Sequence, residues 1–172
     1  LENEPQYFPV YGVVEVGPGA DYALRFDGEY DHVIMDHNED LDMTDMTHLE
    51  LSAWIHPYGL ESNQFILMKG DYGWGMYLQG DHLAFSSEYS LSRHPVSNGT
   101  VEADMWTHVQ VNVVVGEGYT FHINGEDAGV VLDDEAAIPM GDFGSNDCFE
   151  SGDACDELFV ARMGAGCDCS HF

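Results

Sequence analysis

Four carboxylates lie within one short stretch near the beginning of the sequence. The stretch FDGEYDHVIMD, residues 26–36, arranges them around a single glycine. They are Asp27, Glu29, Asp31 and Asp36. Acids at this density form a catalytic pair, hold a cation or face water in a turn. Clustered carboxylates repel one another unless a cation neutralises them, so the elements that flank the stretch decide its chemistry.

A second candidate site is the aromatic stretch GDYGWGMY, residues 70–77. An exposed Tyr72 or Trp74 would stack on a sugar ring, and Asn63 would accept hydrogen bonds from the sugar hydroxyls. The alternative is that Trp74 fills the core. The sequence leaves both interpretations of this tryptophan open.

The composition restricts the possible partners. The formal net charge is −28 at pH 7, with only four basic residues. Such a surface repels phosphate backbones and anionic lipid, so we expect neither nucleic acid nor membrane partners, and divalent cations are favoured. The same acidity suits high salt, where screening weakens self-repulsion, and the two explanations are compatible. No apolar run approaches the ~18 residues of a transmembrane helix.

The cysteines are confined to the C-terminal end of the chain. They are Cys148, Cys155, Cys167 and Cys169. Their spacing lacks the paired C-x-x-C knuckles of a structural zinc site. The first two flank a loop short enough for a disulfide, whereas a bridge within the final Cys-x-Cys would be strained, so its members pair elsewhere, in this chain or another. The even number favours disulfides and an extracellular location.

Period-2 alternation predicts strands along most of the chain. The stretches 48–56 and 107–115 alternate clearly, and Asn124-Gly125 suits the turn of a hairpin over 119–132. Shorter strands are predicted at 11–16, 21–26, 31–35, 64–69, 75–79, 82–87 and 157–163.

Three local interpretations accompany this strand pattern. The tripeptide NGT at 98–100 is typical of an N-glycosylation acceptor and equally of a tight turn. Residues 133–137 are the only helix candidate, as a single turn. We expect Trp54 and Trp106 to fill the core because large aromatic residues are mostly buried.

Six blocks of the sequence resemble, in order, the laminin-G-like, concanavalin A-like jelly rolls. The blocks are ALRFDGEYDHVIM (23–35), LELSAWIHP (49–57), FILMKGDYGWGMYL (65–78), MWTHVQVNV (105–113), YTFHINGEDAG (119–129) and DELFVARM (156–163). The resemblance implies an all-β jelly-roll sandwich of two antiparallel sheets. We predict one domain over residues 1–172, with an extra N-terminal strand segment at 1–17 and a Cys-rich tail at 164–172 outside the family pattern.

The resemblance also implies a calcium ion at the rim of the sandwich. In such domains the first and last strands run side by side, and carboxylates from both often bind Ca²⁺ together with backbone carbonyls. The implied ligands are Asp27, Asp31, Asp156 and Glu157. Oxygen-rich turns suit the six to eight ligands of calcium. The alternative is a plain turn at Asp27-Gly28 with water around its acids.

The sequence offers little for catalysis. Related sandwich glycosidases carry an E-x-D-x-x-E arrangement on one strand, and no such spacing occurs here; the strand patterns offer only Glu15 and Glu50 singly. G-x-S-x-G and H-E-x-x-H are also missing from the sequence, and His108 suits packing better than catalysis. We predict a protein without enzymatic activity and without catalytic residues.

Two functions remain. One is an extracellular, calcium-binding recognition module for a glycan or a protein. The other is a structural subunit that assembles with copies of itself, by strand exchange at a sheet edge or by disulfides. The apolar segment 7–16 is predicted to form a strand, either on its own sheet or on that of a neighbour.

Overall fold

The structure is a computed structural model, and it describes eight parts of the chain. These parts are residues 10–12, 23–26, 32–35, 46–61, 63–69, 74–86, 94–138 and 158–160. All regular secondary structure within them is β, in agreement with the predicted all-β class. A turn at residues 134–135 stands where the sequence offered its one helix candidate.

The described parts of the chain contain twelve strands. They are β1 Val10–Gly12, β2 Ala23–Arg25, β3 Val33–Met35, β4 His48–Ile55, β5 Asn63–Lys69, β6 Gly75–Gln79, β7 His82–Ser86, β8 Val96–Thr100, β9 Thr107–Val114, β10 Gly118–Ile123, β11 Glu126–Leu132 and β12 Leu158–Val160.

The strands form two main antiparallel sheets and a small one. The four-stranded sheet has the order β11-β10-β9-β4, and the six-stranded sheet has the order β3-β12-β5-β6-β7-β8. Strands β1 and β2 form a separate two-stranded sheet. The large sheets pack face to face, as the ring centroids of Phe85 and Tyr119, one from each sheet, lie 5.6 Å apart. The result is the predicted jelly-roll sandwich.

Alternation of residue types builds the core of this sandwich. In β9 the side chains of Val109, Val111 and Val113 are fully buried, while the intervening residues are partly exposed. Strand β4 pairs with β9 and buries Leu49 and Leu51 on the same inner face. Because successive side chains of a strand point to opposite faces, this pattern leaves every second residue of the four-stranded sheet on its outer surface.

Strand β8 corrects one sequence interpretation. Asn98, Gly99 and Thr100 lie in an extended strand, so the tight-turn interpretation of NGT is wrong. A Cβ atom at Gly99 would lie only 3.1 Å from Cβ of Ala128 in β11. The missing side chain of Gly99 therefore allows β8 and β11, edge strands of the two large sheets, to approach each other closely. Asn98 is exposed, and its glycosylation stays a prediction.

The terminal segments are only partly described. Within the predicted segment 7–16, Val10–Gly12 form a strand that pairs with β2 of the same chain. Strand β12 pairs with β3 and β5, so early and late parts of the chain meet in one sheet, as the family resemblance implied.

Candidate functional site

The predicted calcium ligands lie outside the described residues. The nearby antiparallel ladder pairs Leu158 with Met35 and Val160 with Val33, so the chain enters β3 and enters β12 at opposite ends of this ladder. The acids themselves are Asp27, Asp31, Asp156 and Glu157. The calcium site therefore stays a prediction. Among the residues that the structure describes, no group of three or more His, Cys, Asp or Glu side chains could hold a metal ion.

The predicted sugar-binding group is not assembled by the structure. Trp74 is only 3% exposed and belongs to the core, which contradicts its stacking role and favours the core alternative. Asn63 of β5 pairs with Gln79 at the end of β6, whereas Trp74 directly precedes Gly75 at the beginning of β6. The four residue steps from Gly75 to Gln79 place the two ends of β6 roughly 13 Å apart. Tyr72 and the four predicted disulfide cysteines (Cys148, Cys155, Cys167 and Cys169) lie outside the described residues.

The structure instead presents exposed aromatic rings on the outer face of the four-stranded sheet. Trp54 of β4 is 49% exposed, so its predicted core position is wrong. It lies directly across from His108 of β9, and the two ring centroids are 5.3 Å apart at an interplanar angle of 57°. Both side chains point away from the core because their strand neighbours Ile55 and Val109 point into it.

A second group of rings continues this surface just beyond the end of β4. The ring centroid of His56 lies 5.3 Å from that of Trp106 and 5.2 Å from that of Tyr58. Tyr58 is 56% exposed. We call the five residues of the two groups the aromatic strip: Trp54, His56, Tyr58, Trp106 and His108.

The strip already contacts one cation of its own chain. The guanidinium carbon of Arg25, from β2, lies 5.3 Å from the ring centroid of Tyr58. This distance lies within the roughly 6 Å limit of a cation–π interaction. The rings of the strip are therefore oriented so that a guanidinium group has access to at least one of them.

Acidic and polar residues border the strip. The amide N–H of the exposed Asp104 donates to the carbonyl of Pro57, at 2.8 Å, which places it beside the loop that carries Tyr58. Further along the outer face, Nε2 of Gln110 donates to Oδ1 of Asn112 at 3.3 Å. Glu50, opposite Asn112, is also exposed. The outer face thus places hydrogen-bonding groups and negative charge near the apolar rings of the strip.

A separate, partly buried polar pair joins β6 of the six-stranded sheet to the residues before β8. The hydroxyl of Tyr77 and Nδ1 of His94 share a hydrogen bond of 2.8 Å. Burial raises the pKa of Tyr77 to about 12 and lowers the pKa of His94. Nε2 of His94 is buried without a hydrogen-bond partner among the described residues. Both shifts favour the neutral forms, which suits a structural pair.

The aromatic strip was missed at the level of the sequence although its signal was present. In AWIHPYG the rings stand at positions 54, 56 and 58, two residues apart. The inward residues of β4 occupy the odd positions, so the even positions face outward. This alternation predicts that Trp54 points away from Leu49 and Leu51, but it does not predict whether the face that carries Trp54 is covered.

The fold and the exposed rings define a jelly-roll β-sandwich with a surface suited to binding. Residues 27–145 match a laminin-G-type model described as the concanavalin A-like lectin/glucanases superfamily. This match spans more than half of the chain, and the chain belongs to that superfamily. No curated protein sequence matches the chain.

Several solved structures share the fold at low sequence identity. The binding domain of Paraclostridial Mosquitocidal Protein 1 is 14% identical with a TM-score of 0.64, over 88% of this chain and 37% of that one. The binding domain of botulinum neurotoxin DC, solved with rat synaptotagmin II, is 14% identical with a TM-score of 0.55, over 89% and 37%. A candidate carbohydrate-binding protein from Bacteroides ovatus is 12% identical with a TM-score of 0.53, over 78% and 36%.

The chain therefore spans less than two fifths of each of these structures. At such identities the likeness shows the fold alone. These neighbours are binding domains or binding proteins by description, and they give no support to the self-assembly alternative. Within the described residues we find no helical segment whose length and hydropathy suffice for a bilayer crossing.

Proposed function

We propose that this chain is a non-catalytic recognition module that binds a glycan or a protein through the aromatic strip. The observation that carries the proposal is that Trp54 and Tyr58 are the only aromatic residues among the exposed large hydrophobic side chains of the described residues. Exposed aromatic rings with polar groups beside them are typical of binding surfaces, since one face of the ring gains contact area at little entropic cost.

The comparisons support the same class of function. The superfamily includes lectins by its description, and one similar structure is a toxin binding domain in complex with a protein, synaptotagmin II. The aromatic strip adds a specific candidate surface to this similarity in fold. The similar structures are binding domains or binding proteins by description, which supports a role without catalysis.

The proposal is tested by direct binding of the purified chain to immobilised glycans and immobilised extracellular matrix proteins. Trp54→Ala removes the most exposed indole of the described residues and should weaken binding by about three- to tenfold, the usual effect of losing one stacking ring. Leu132→Ala is the matched control, because Leu132 is 84% exposed on the same sheet but stands at its opposite end. Binding that Trp54→Ala leaves unchanged, or no binding to either class, would contradict the proposal.

Three further properties belong to this proposal. The module holds Ca²⁺ through Asp27, Asp31, Asp156 and Glu157, where the ion would neutralise their mutual repulsion. It acts outside the cell. Its four cysteines are oxidised, for which their even number and their crowding near the C-terminal end are the support.

A further inference from the structure

We propose that the partner of the aromatic strip is a basic polypeptide segment, with an Arg or Lys side chain over the ring of Trp54, next to the Tyr58 ring that Arg25 contacts. This inference rests on the proposed function and specifies its partner. It follows from the charge of the chain, from the one cation already in place on the strip, and from the acidic groups around it.

The charge of the chain favours a cationic partner over any other. The sequence carries 32 Asp and Glu residues against four Lys and Arg. The structure describes two of the four basic residues, and one of them, Lys69, is only 2% exposed. Long-range attraction therefore concentrates basic ligands near the surface and speeds their association.

Local geometry directs such a ligand to the strip. Arg25 shows that a guanidinium lies over Tyr58 at 5.3 Å. Trp54 offers a half-exposed indole, and tryptophan is the strongest cation–π acceptor among the side chains. A cation of the partner over Trp54 would repeat the arrangement of Arg25 over Tyr58. Arg25 itself limits how closely the partner approaches the Tyr58 ring.

Two exposed acidic residues, one beside the Tyr58 loop and one further along the outer face, supply the rest of the recognition. Asp104 is held beside the Tyr58 loop through its hydrogen bond to Pro57, and Glu50 is exposed further along the same face. Carboxylates at the rim steer and orient a basic segment without being buried. A neutral glycan would stack on the same rings without using these charges, and an anionic glycan would be repelled by them.

The test uses a short fluorescent peptide of alternating Arg and Ser, and a matched peptide with Gln in place of each Arg. Fluorescence polarisation measures the affinity of both for the full chain, at low and high ionic strength. We expect binding of the Arg peptide, weaker at high salt, and at least tenfold weaker binding of the Gln peptide. Trp54→Ala should weaken binding of the Arg peptide by about three- to tenfold. Trp54→Phe, which keeps a ring, should show a smaller loss than Trp54→Ala.

The controls separate this inference from general charge attraction and from the proposed function. Leu132→Ala should bind like the wild type, and circular dichroism with the melting temperature checks that each variant is folded. An Arg peptide that binds Trp54→Ala as tightly as the wild type would show charge attraction without the strip and would overturn the inference. Strip-dependent binding of a neutral glycan in preference to the Arg peptide would also overturn it, while the proposed function would stand. Absence of binding of the Arg peptide would overturn the inference, while the proposed function would be decided by the immobilised glycans and matrix proteins.

Discussion

At the scale of single residues, burial separates tryptophans that look alike in the sequence. Trp74 is buried and its Nε1 has no hydrogen-bond partner among the described residues. Trp54 is half exposed and contacts His108. An indole buried without a partner for its N–H costs stability, whereas an exposed indole is free to bind. The residue type alone therefore does not identify a ligand contact.

The Tyr77–His94 pair makes stability depend on pH. Because burial lowers the pKa of His94, the unfolded chain takes up a proton near pH ~6.5 while the folded chain does not. The contribution of the neutral imidazole is thus present above pH ~6.5 and is lost as the pH falls towards the lowered folded pKa. The difference in free energy of unfolding between wild type and His94→Gln should shrink from about pH 7.5 to about pH 5, measured by urea denaturation.

Tyr77→Phe is the control for this prediction, since it removes the hydroxyl and keeps the imidazole. It should lose about 1–3 kcal/mol, because Nδ1 of His94 is then left without its partner, and it should keep the pH-dependent component. A difference between wild type and His94→Gln that stays constant across the pH range would contradict the assignment.

At the scale of elements, the hairpin of β10 and β11 carries an irregularity that fits it to the rest of the sandwich. The register shifts between Phe121 and His122, so that Ala128 is an extra residue in β11. Gly129 follows it with φ of +128°, which L side chains rarely adopt. Bulges of this kind bend a strand and increase its twist, and here the bend lies where β11 approaches β8.

Gly129→Ala should destabilise the protein. The new Cβ would require a strained backbone and would lie 3.1 Å from the backbone nitrogen of Asn98 in β8. We expect a loss of about 1–3 kcal/mol in the free energy of unfolding. Gly59→Ala is the matched control, because a Cβ atom at that position would meet no other atom within 4 Å and the φ of Gly59 is not positive. That change should be neutral or slightly stabilising, and equal effects of the two substitutions would contradict the argument.

At the scale of the whole molecule, the sheet closes by pairing distant parts of the chain. Strand β12 lies between β3 and β5 in the six-stranded sheet, so the fold depends on contacts between residues that are far apart in sequence. A cation held next to this closure would stabilise the molecule by binding only the folded state.

The effect of calcium removal on the melting temperature tests whether such a cation stabilises the fold. A ligand at 100 times its dissociation constant stabilises a fold by about 2.7 kcal/mol, which corresponds to roughly 5–10 °C for a chain of this size. Excess chelator should therefore lower the melting temperature by that amount, and added Ca²⁺ should restore it. A variant with Asp27→Asn and Asp31→Asn should melt at the lower temperature with or without chelator. An unchanged melting curve of the wild-type protein in chelator would exclude the calcium site.

The sequence determined the all-β class, most strands and the order of the family blocks, because period-2 alternation is a local property. It also indicated the hairpin turn at Asn124-Gly125, where Asn124 has a positive φ of 54° and Gly125 one of 80°. Both residue types tolerate that conformation. Strand β8 was missed because an Asn-Gly pair is typical of a turn, whereas in the structure β8 pairs with β7 and Gly99 lies close to Ala128 of β11.

The tertiary structure alone decided which aromatic residues form a surface. Alternation assigns Trp54 to one face of its strand, but whether that face is covered depends on where the second sheet packs. Likewise, the pairing of β4 with β9 aligns Trp54 with His108, two positions separated by 54 residues of chain. Local patterns specify strands and faces, whereas sheet pairing and the choice of the covered face arise from non-local burial, which no short stretch of sequence encodes.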